Sequence, residues 1–200
     1  LNGNNFKARS IAVLGTPPPP PQSVPPADLV ITSIVPAAHA IGGEPFTVRW
    51  TVENRGPGET RDASWVDRVY LSNTPELNAP GARLWCLTCP SGDIPHSGNL
   101  GVGQHYTEEQ TFQLSPAAAG QFVIVTTNAL NAGFEGPNAG NNTRSTTTDV
   151  TTAPADLRVA SVITQPENFS GEAAIIRWTV ENVGAAVWTG TRHWVDEVYF

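Results

Sequence analysis

The chain has 200 residues, with 18 acidic against 11 basic side chains, a formal net charge of −7 and a pI near 5.0. Such a surface repels a phosphate backbone, and with no Lys/Arg cluster to release counterions nucleic acid is excluded as a partner. Charged residues are only 14% while Thr, Ser, Asn, Gly and Pro abound, which is the balance of an all-β chain with many turns. No apolar run approaches the roughly 18 residues of a membrane helix, and no basic segment precedes an apolar stretch as in a signal peptide. No membrane insertion is therefore expected within these residues. The sequence contains no Met and stops at Phe200 inside an alternating apolar run, so it reads as a fragment.

Residues 1–15 carry Gly3-Asn4-Asn5 followed by Ser10-Ile11-Ala12-Val13-Leu14, and the same order returns as Gly140-Asn141-Asn142 followed by Ser145 to Val150. The opening segment is thus expected to be the last strand of a preceding repeat. Residues 16–26 contain an unbroken proline run at 17–21 and then Pro25-Pro26; they cannot donate backbone hydrogen bonds and favour a polyproline II spacer of about 3.1 Å per residue.

A first strand starts at Ala27-Asp28-Leu29-Val30-Ile31. Its copy at Ala155-Asp156-Leu157-Arg158-Val159 has Arg where the first has Val30, so position 30 faces water and Leu29 and Ile31 face inward. In the next strand Phe46, Val48, Trp50 and Val52 share one face, opposite Thr47, Arg49, Thr51 and Glu53; Ala174, Ile176, Trp178 and Val180 repeat the apolar side. Alternation of this kind marks an antiparallel sheet with one wet face. In the run from Trp65 to Leu71 the inner set is Trp65, Val69 and Leu71, because Arg68 becomes Glu197 in the copy. That places Asp67 on the inner side. Residues 73–104 form a Pro/Gly-punctuated excursion, Tyr106, Phe112 and Leu114 are spaced for another strand, and Phe122-Val123-Ile124-Val125 reads as a central or doubly covered strand. Ser145 to Val150 closes the unit.

Ala27 and Ala155, Trp50 and Trp178, and Gly56 and Gly184 are each 128 apart, whereas Trp65 and Trp194 are 129 apart, which marks a one-residue insertion between them. The expected organisation is the end of one repeat (1–15), a Pro-rich linker (16–26), a complete domain (27–152), a short link (153–154) and the truncated start of a further domain (155–200). The fold class is all-β, an immunoglobulin-like antiparallel β-sandwich, present as a tandem repeat fragment. Trp50, Trp65, Trp178 and Trp194 are its expected structural core. The last segment, with at most three strands, should not fold independently, since a half-sandwich exposes its apolar face and an unpaired edge.

At Pro45-Phe46-Thr47-Val48-Arg49-Trp50-Thr51-Val52-Glu53-Asn54 with Gly56, at Ser64-Trp65-Val66-Asp67-Arg68-Val69-Tyr70-Leu71-Ser72, at Ser97-Gly98-Asn99-Leu100 and at Gly140-Asn141-Asn142-Thr143, the chain resembles the cell-adhesion-related domain found in bacteria, CARDB. The resemblance covers 27–152, and 155–200 matches the family's first third. It implies an immunoglobulin-like sandwich, often in tandem, in large secreted or surface-attached bacterial proteins, acting as an adhesion or spacer module without catalytic residues. Its partners would be neighbouring repeats of the same chain and an unknown extracellular protein or glycan. Two departures count against calcium: Asn73-Thr74-Pro75-Glu76-Leu77-Asn78 is poorer in Asp than the corresponding family loop, and the acidic residues before the paired Asn reduce to Glu135.

Trp85-Cys86-Leu87-Thr88-Cys89-Pro90 superficially resembles the thioredoxin active site, but Pro90, Gly92 and Pro95 break the helix that would lower a thiol pKa. Cys86 and Cys89 are read first as a local disulfide of an extracellular loop, with free thiols, or a metal or redox site involving His96 and His105, as the alternatives. Asp67 and its copy Asp196 could serve as hard-metal ligands with Glu53; the simpler reading is a buried carboxylate satisfied by backbone N–H groups or by Arg49. Asp149 and Asp156 are the candidates for a calcium pair at the junction but lack the dense oxygen set that ion takes. His39, His96, His105 and His193 fall in turns or exposed positions, with no Gly-x-Ser-x-Gly elbow, HExxH or phosphate loop. No enzyme activity and no cofactor is expected; the alternatives to an adhesion or spacer role are a ligand-binding module, for carbohydrate or calcium, using residues 73–104, and a non-catalytic appendage of a secreted enzyme. Trp85 and Trp188 are the candidates for a carbohydrate platform, and Asn141 and Asn168 fit glycosylation sequons.

Overall fold

The computed structural model describes residues 9–10, 24–77, 82–84, 86, 89, 91–187 and 193–199. The expected strand at 1–15 and most of the 16–26 linker lie outside these residues, as do Trp85 and Trp188. Among the described residues the chain is all-β apart from one 3-10 turn at Gly136–Asn138.

Two sheets face each other. The smaller has strand order β1 (Leu29–Pro36), β3 (Pro45–Asn54), β7 (His105–Gln113), all antiparallel. The larger runs β2 (Ala40–Ile41), β9 (Thr143–Thr151), β8 (Gly120–Thr126), β4 (Ser64–Ser72) and β5 (Ala82–Arg83), with β6 (Ile94–Ser97) also pairing with β4. Taking β1, β3 and β7 as A, B and E, and β4, β8 and β9 as C, F and G, this is the immunoglobulin arrangement of A-B-E against C-F-G. β2 runs parallel to β9, the one non-antiparallel pairing among the described strands.

Alternation places the core. Phe46, Val48, Trp50 and Val52 of β3 are buried, as are Trp65, Asp67, Val69 and Leu71 of β4 and Val123, Ile124 and Val125 of β8. β8 lies between β4 and β9, which explains its unbroken apolar run. In β1 the register with β3 shifts between Ile31 and Ser33. This bulge lets Leu29, Ile31 and Ile34 all point inward although their spacing changes from two to three. Arg144 caps the bulge, its Nη1 donating to the carbonyls of Ile31 (3.2 Å) and Thr32 (2.6 Å).

Beyond the sandwich, β10 (Leu157–Thr164) and β11 (Ile176–Asn182) form a separate two-stranded sheet. Leu157 pairs with Asn182 as Leu29 does with Asn54, and the shift recurs between Val159 and Ser161. The expected burial does not recur. Trp178 is 41% and Trp194 54% exposed, against 0% for Trp50 and 2% for Trp65. A hairpin buries a face only against an opposing layer, and none covers this one among the described residues; Trp178 and Trp194 are core positions by pattern but not by environment.

Candidate functional site

The most elaborate polar group in the sandwich is centred on Asp67, which is 1% exposed. Strand alternation forces it inward between Trp65 and Val69, so its charge must be met by side chains from neighbouring elements. Trp50 Nε1 donates to Asp67 Oδ2 at 2.7 Å, and the Tyr106 hydroxyl donates to the same oxygen at 2.7 Å. Trp65 Nε1 in turn donates to the Tyr106 oxygen at 3.1 Å, and Thr127 Oγ1 lies 3.3 Å from it. Asp67 thus ties β3 and β7 of one sheet to β4 of the other.

Burial pushes the Asp67 carboxyl above the usual carboxylate range, opposed by the bonds from Trp50 and Tyr106 and by the neighbouring Thr127 hydroxyl and Asn128 amide. Oδ1 has no partner in hydrogen-bonding geometry. Burial and the Asp67 charge together raise the Tyr106 hydroxyl, so it remains a donor at any physiological pH. Arg49, the expected partner of Asp67, instead binds Glu109 on the wet face at 2.7 Å, and Glu53 binds Arg55 at 3.0 Å. A strand places neighbours on opposite faces, which is why Arg49 cannot reach inward.

Over this group lies a ring stack. His96 of β6 sits between Trp65 (centroids 4.2 Å apart) and Tyr106 (4.0 Å). Its Nε2 is 3.2 Å from the Gly98 carbonyl; a carbonyl only accepts, so the proton is on Nε2. Burial lowers the His96 pKa, against the Gly98 bond and nearby Glu108. His96 is therefore a packing residue and not the exposed turn residue that the sequence suggested.

A second buried carboxylate, Glu135, closes one pole of the sandwich. Its Oε2 accepts the Leu29 amide (2.7 Å), and its Oε1 accepts Nδ2 of Asn128 (2.6 Å) and of Asn142 (2.7 Å). Nearby Asn54, fully buried, accepts the amides of Asp28 and Gly56 and donates to the carbonyls of Gly58 and Leu100. Gly56 and Gly58 are needed here because a Cβ on either would strike the backbone of residues 25–28 at 2.0 to 2.7 Å. Sequence reasoning singled out Glu135 only as a depleted acidic position. Its role joins two near partners, Asn128 and Asn142, to one far along the chain, the Leu29 amide, a contact no local pattern carries.

The remaining candidates are scattered. Cys86 and Cys89 are joined as a disulfide and packed into the core, and Asp93 beside them binds Arg68 at 2.6 Å and is held below the usual carboxylate range by it. Asp149 contacts His39 at 2.9 Å on the surface, and the Asp156 amide donates to Asn182 Oδ1 at 2.9 Å. Among the described residues no three His, Cys, Asp or Glu side chains are grouped to hold a metal, and no helix is long and apolar enough to cross a membrane.

No family model matches the chain, and no curated protein matches it. Among solved structures, it is similar to the crystal structure of a CARDB domain from Pyrococcus furiosus determined in complex with di-metal ions, with 17% identity, 66% of this chain and 99% of that one covered, and a TM-score of 0.45. The solution structure of the same domain aligns at 15% identity over 65% and 98% of the two chains, with a TM-score of 0.41. A β-glucosidase from Listeria innocua aligns at 14% identity and a TM-score of 0.34, over 64% of this chain and 16% of that one.

Proposed function

We propose that this chain is a non-enzymatic adhesion or spacer segment of a large secreted or surface-attached bacterial protein, built from CARDB-like sandwiches in series. In this reading 27–152 is one whole unit, 153–154 the link and 155–200 the start of the next; 1–15 ends the preceding unit and 16–26 is a stiff linker. The observation that carries it is the hairpin of β10 and β11. It reproduces the β1/β3 register, its bulge, the Asn54 turn through Asn182, and the Trp50–Asp67 bond through Trp178 Nε1 and Asp196 Oδ2 at 2.9 Å. A pattern of hydrogen bonds made twice, 128 residues apart in the strands and 129 at the carboxylate, is what serial units require.

The link supports the same reading. The Ala153 amide donates to the Pro116 carbonyl at 2.9 Å, so the chain leaves the first unit tied to its surface. Asp67 Oδ2 ties strands of the two sheets together and Glu135 ties β1 to the loops at Asn128 and Asn142, the use expected of a rigid spacer. A ligand-binding module is the second reading, favoured by a polar cleft of about 450 Å³ lined by Thr126, Thr127, Asn128, Asn131, Asn142 and Thr143. Thermal melts of the 200-residue chain with calcium, zinc and a panel of glycans separate the two. An unchanged melting temperature throughout is the expected result; a saturable rise with any one ligand would replace the spacer role with a binding one.

A further inference from the structure

Sheet margins are where one β-protein recruits another, and the described margins of this sandwich are treated unequally. β2 and β5 have two residues each, and β6 has four including Pro95; short strands and Pro discourage pairing. Several outward groups at the first half of β1 are occupied. The Leu29 amide goes to Glu135, the Ile31 and Thr32 carbonyls to Arg144, and the strand is bulged.

β7 has none of these protections. It has nine residues, pairs with β3 without a shift from Gln113 to His105, and contains neither Pro nor Lys. The bonds Leu114 N to Glu44 O and Asn54 N to Gln104 O show that even-numbered residues of β7 face β3, so the amides and carbonyls of His105, Thr107 and Glu109 point away from the sheet. Among the described residues nothing bonds to them. Their side chains lie on the wet face, where Thr107 meets Thr51 at 2.9 Å, Thr111 meets Thr47 at 2.8 Å and Glu109 is fixed by Arg49.

We propose that β7 is a self-association edge: two copies of the chain pair β7 with β7, antiparallel, about a two-fold axis at Thr107. A two-fold axis uses the same surface on both copies, and the two three-stranded sheets become one of six, within the ordinary range. Charge selects the register. Outward groups meet only when odd-numbered residues oppose one another; centring on Glu109 or Glu108 would set two carboxylates face to face, and centring on Tyr106 would set Glu109 against Gly103, whose amide is already bound to the Asn54 carbonyl. Centring on Thr107 places each His105 opposite Glu109 of the second copy and Thr107 opposite itself, all favourable cross-strand pairs. Each copy then supplies three free amides and three free carbonyls to the other.

Sedimentation of the 200-residue chain over roughly a hundredfold range of concentration tests this. The mass should climb from 21.3 kDa towards twice that value. His105→Glu, a surface change that sets Glu against Glu109 twice, should weaken association roughly tenfold, and adding Glu109→Lys to it should restore association. Thr107→Pro removes an outward amide that a monomer does not use and should leave only monomer. A chain that stays monomeric throughout overturns the proposal, and so does a dimer that His105→Glu leaves intact, which would put the contact on another face.

Discussion

The sandwich and the C-terminal hairpin contain the same tryptophan–carboxylate bond in two environments. Trp50 donates to Asp67 in the core, while Trp178 donates to Asp196 with 41% of the indole exposed. The hydrogen bonds differ by 0.2 Å, but their energetic settings do not resemble each other. In the core both groups are buried, the indole fills space and the Tyr106 hydroxyl is the carboxylate's second donor; on the hairpin, water can replace either partner. Local sequence is enough to specify the bond, and only the opposing sheet makes it contribute to stability. A cleft of about 400 Å³ on this hairpin has mixed walls, with Val159, Val162, Ile176 and Trp178 on one side and Asp196, Glu197 and Tyr199 on the other.

Paired substitutions break this comparison most directly. Trp50→Ala should cost about 4 kcal/mol or more, since a core indole is lost and Asp67 loses a donor; with typical domain stabilities this is enough to unfold a large fraction of molecules. Trp178→Ala should leave the main denaturant transition within about 0.5 kcal/mol. Asp67→Ala strands the Trp50 N–H and Tyr106 hydroxyl in the core, at about 3 kcal/mol, whereas Asp196→Ala should be silent in the same melts. Asn54→Ala, removing an amide with four partners, should cost about 2 to 3 kcal/mol, and Asn182→Ala little. Equal effects within any pair would mean that the hairpin is covered in solution by something outside the described residues. Limited proteolysis should agree, cutting within 155–199 well before 27–152.

Period-2 alternation made the strands legible, and the segments spaced 128 residues apart, read as copies of each other, pair in the same register in β1/β3 and β10/β11. What the sequence could not show was which donors meet a buried acid. Asp67 is inward by parity, yet its partners Trp50 and Tyr106 come from β3 and β7, and the choice between Arg49 and an indole N–H depends on which face each strand presents. Trp50 and Trp178 have the same local sequence, so pattern alone could not separate a buried tryptophan from an exposed one. Glu135 was legible only as a charge, because its function lies in Leu29 and Asn142, which the fold brings to one pole.

Reduction of the Cys86–Cys89 disulfide ranks lower. The ring it closes is short, so chain entropy contributes no more than about 2 kcal/mol, and both cysteines are packed in the core by their neighbours. Melts with and without reductant should differ by a few degrees at most.

The smallest expected effect is a pH dependence from His96. Burial between Trp65 and Tyr106 lowers its pKa below the ordinary 6.5. In the interval between that lowered value and 6.5 the unfolded chain binds more protons than the folded one, so stability must rise with pH there. The contribution is complete above 6.5 and is lost as pH falls through the interval. Asp67 and Glu108, both raised by burial, act in the opposite sense, since the folded chain takes up protons above the unfolded carboxylate value. His96→Phe keeps an aromatic ring in the stack and removes only the titration. The difference in denaturant midpoint between the two proteins, followed downward from about pH 7.5, therefore isolates the histidine, and the wild type should lose ground to His96→Phe below 6.5. Parallel curves would show that His96 is as freely solvated as an unfolded histidine, and the covering role of β6 over the Asp67 group would then have to be abandoned.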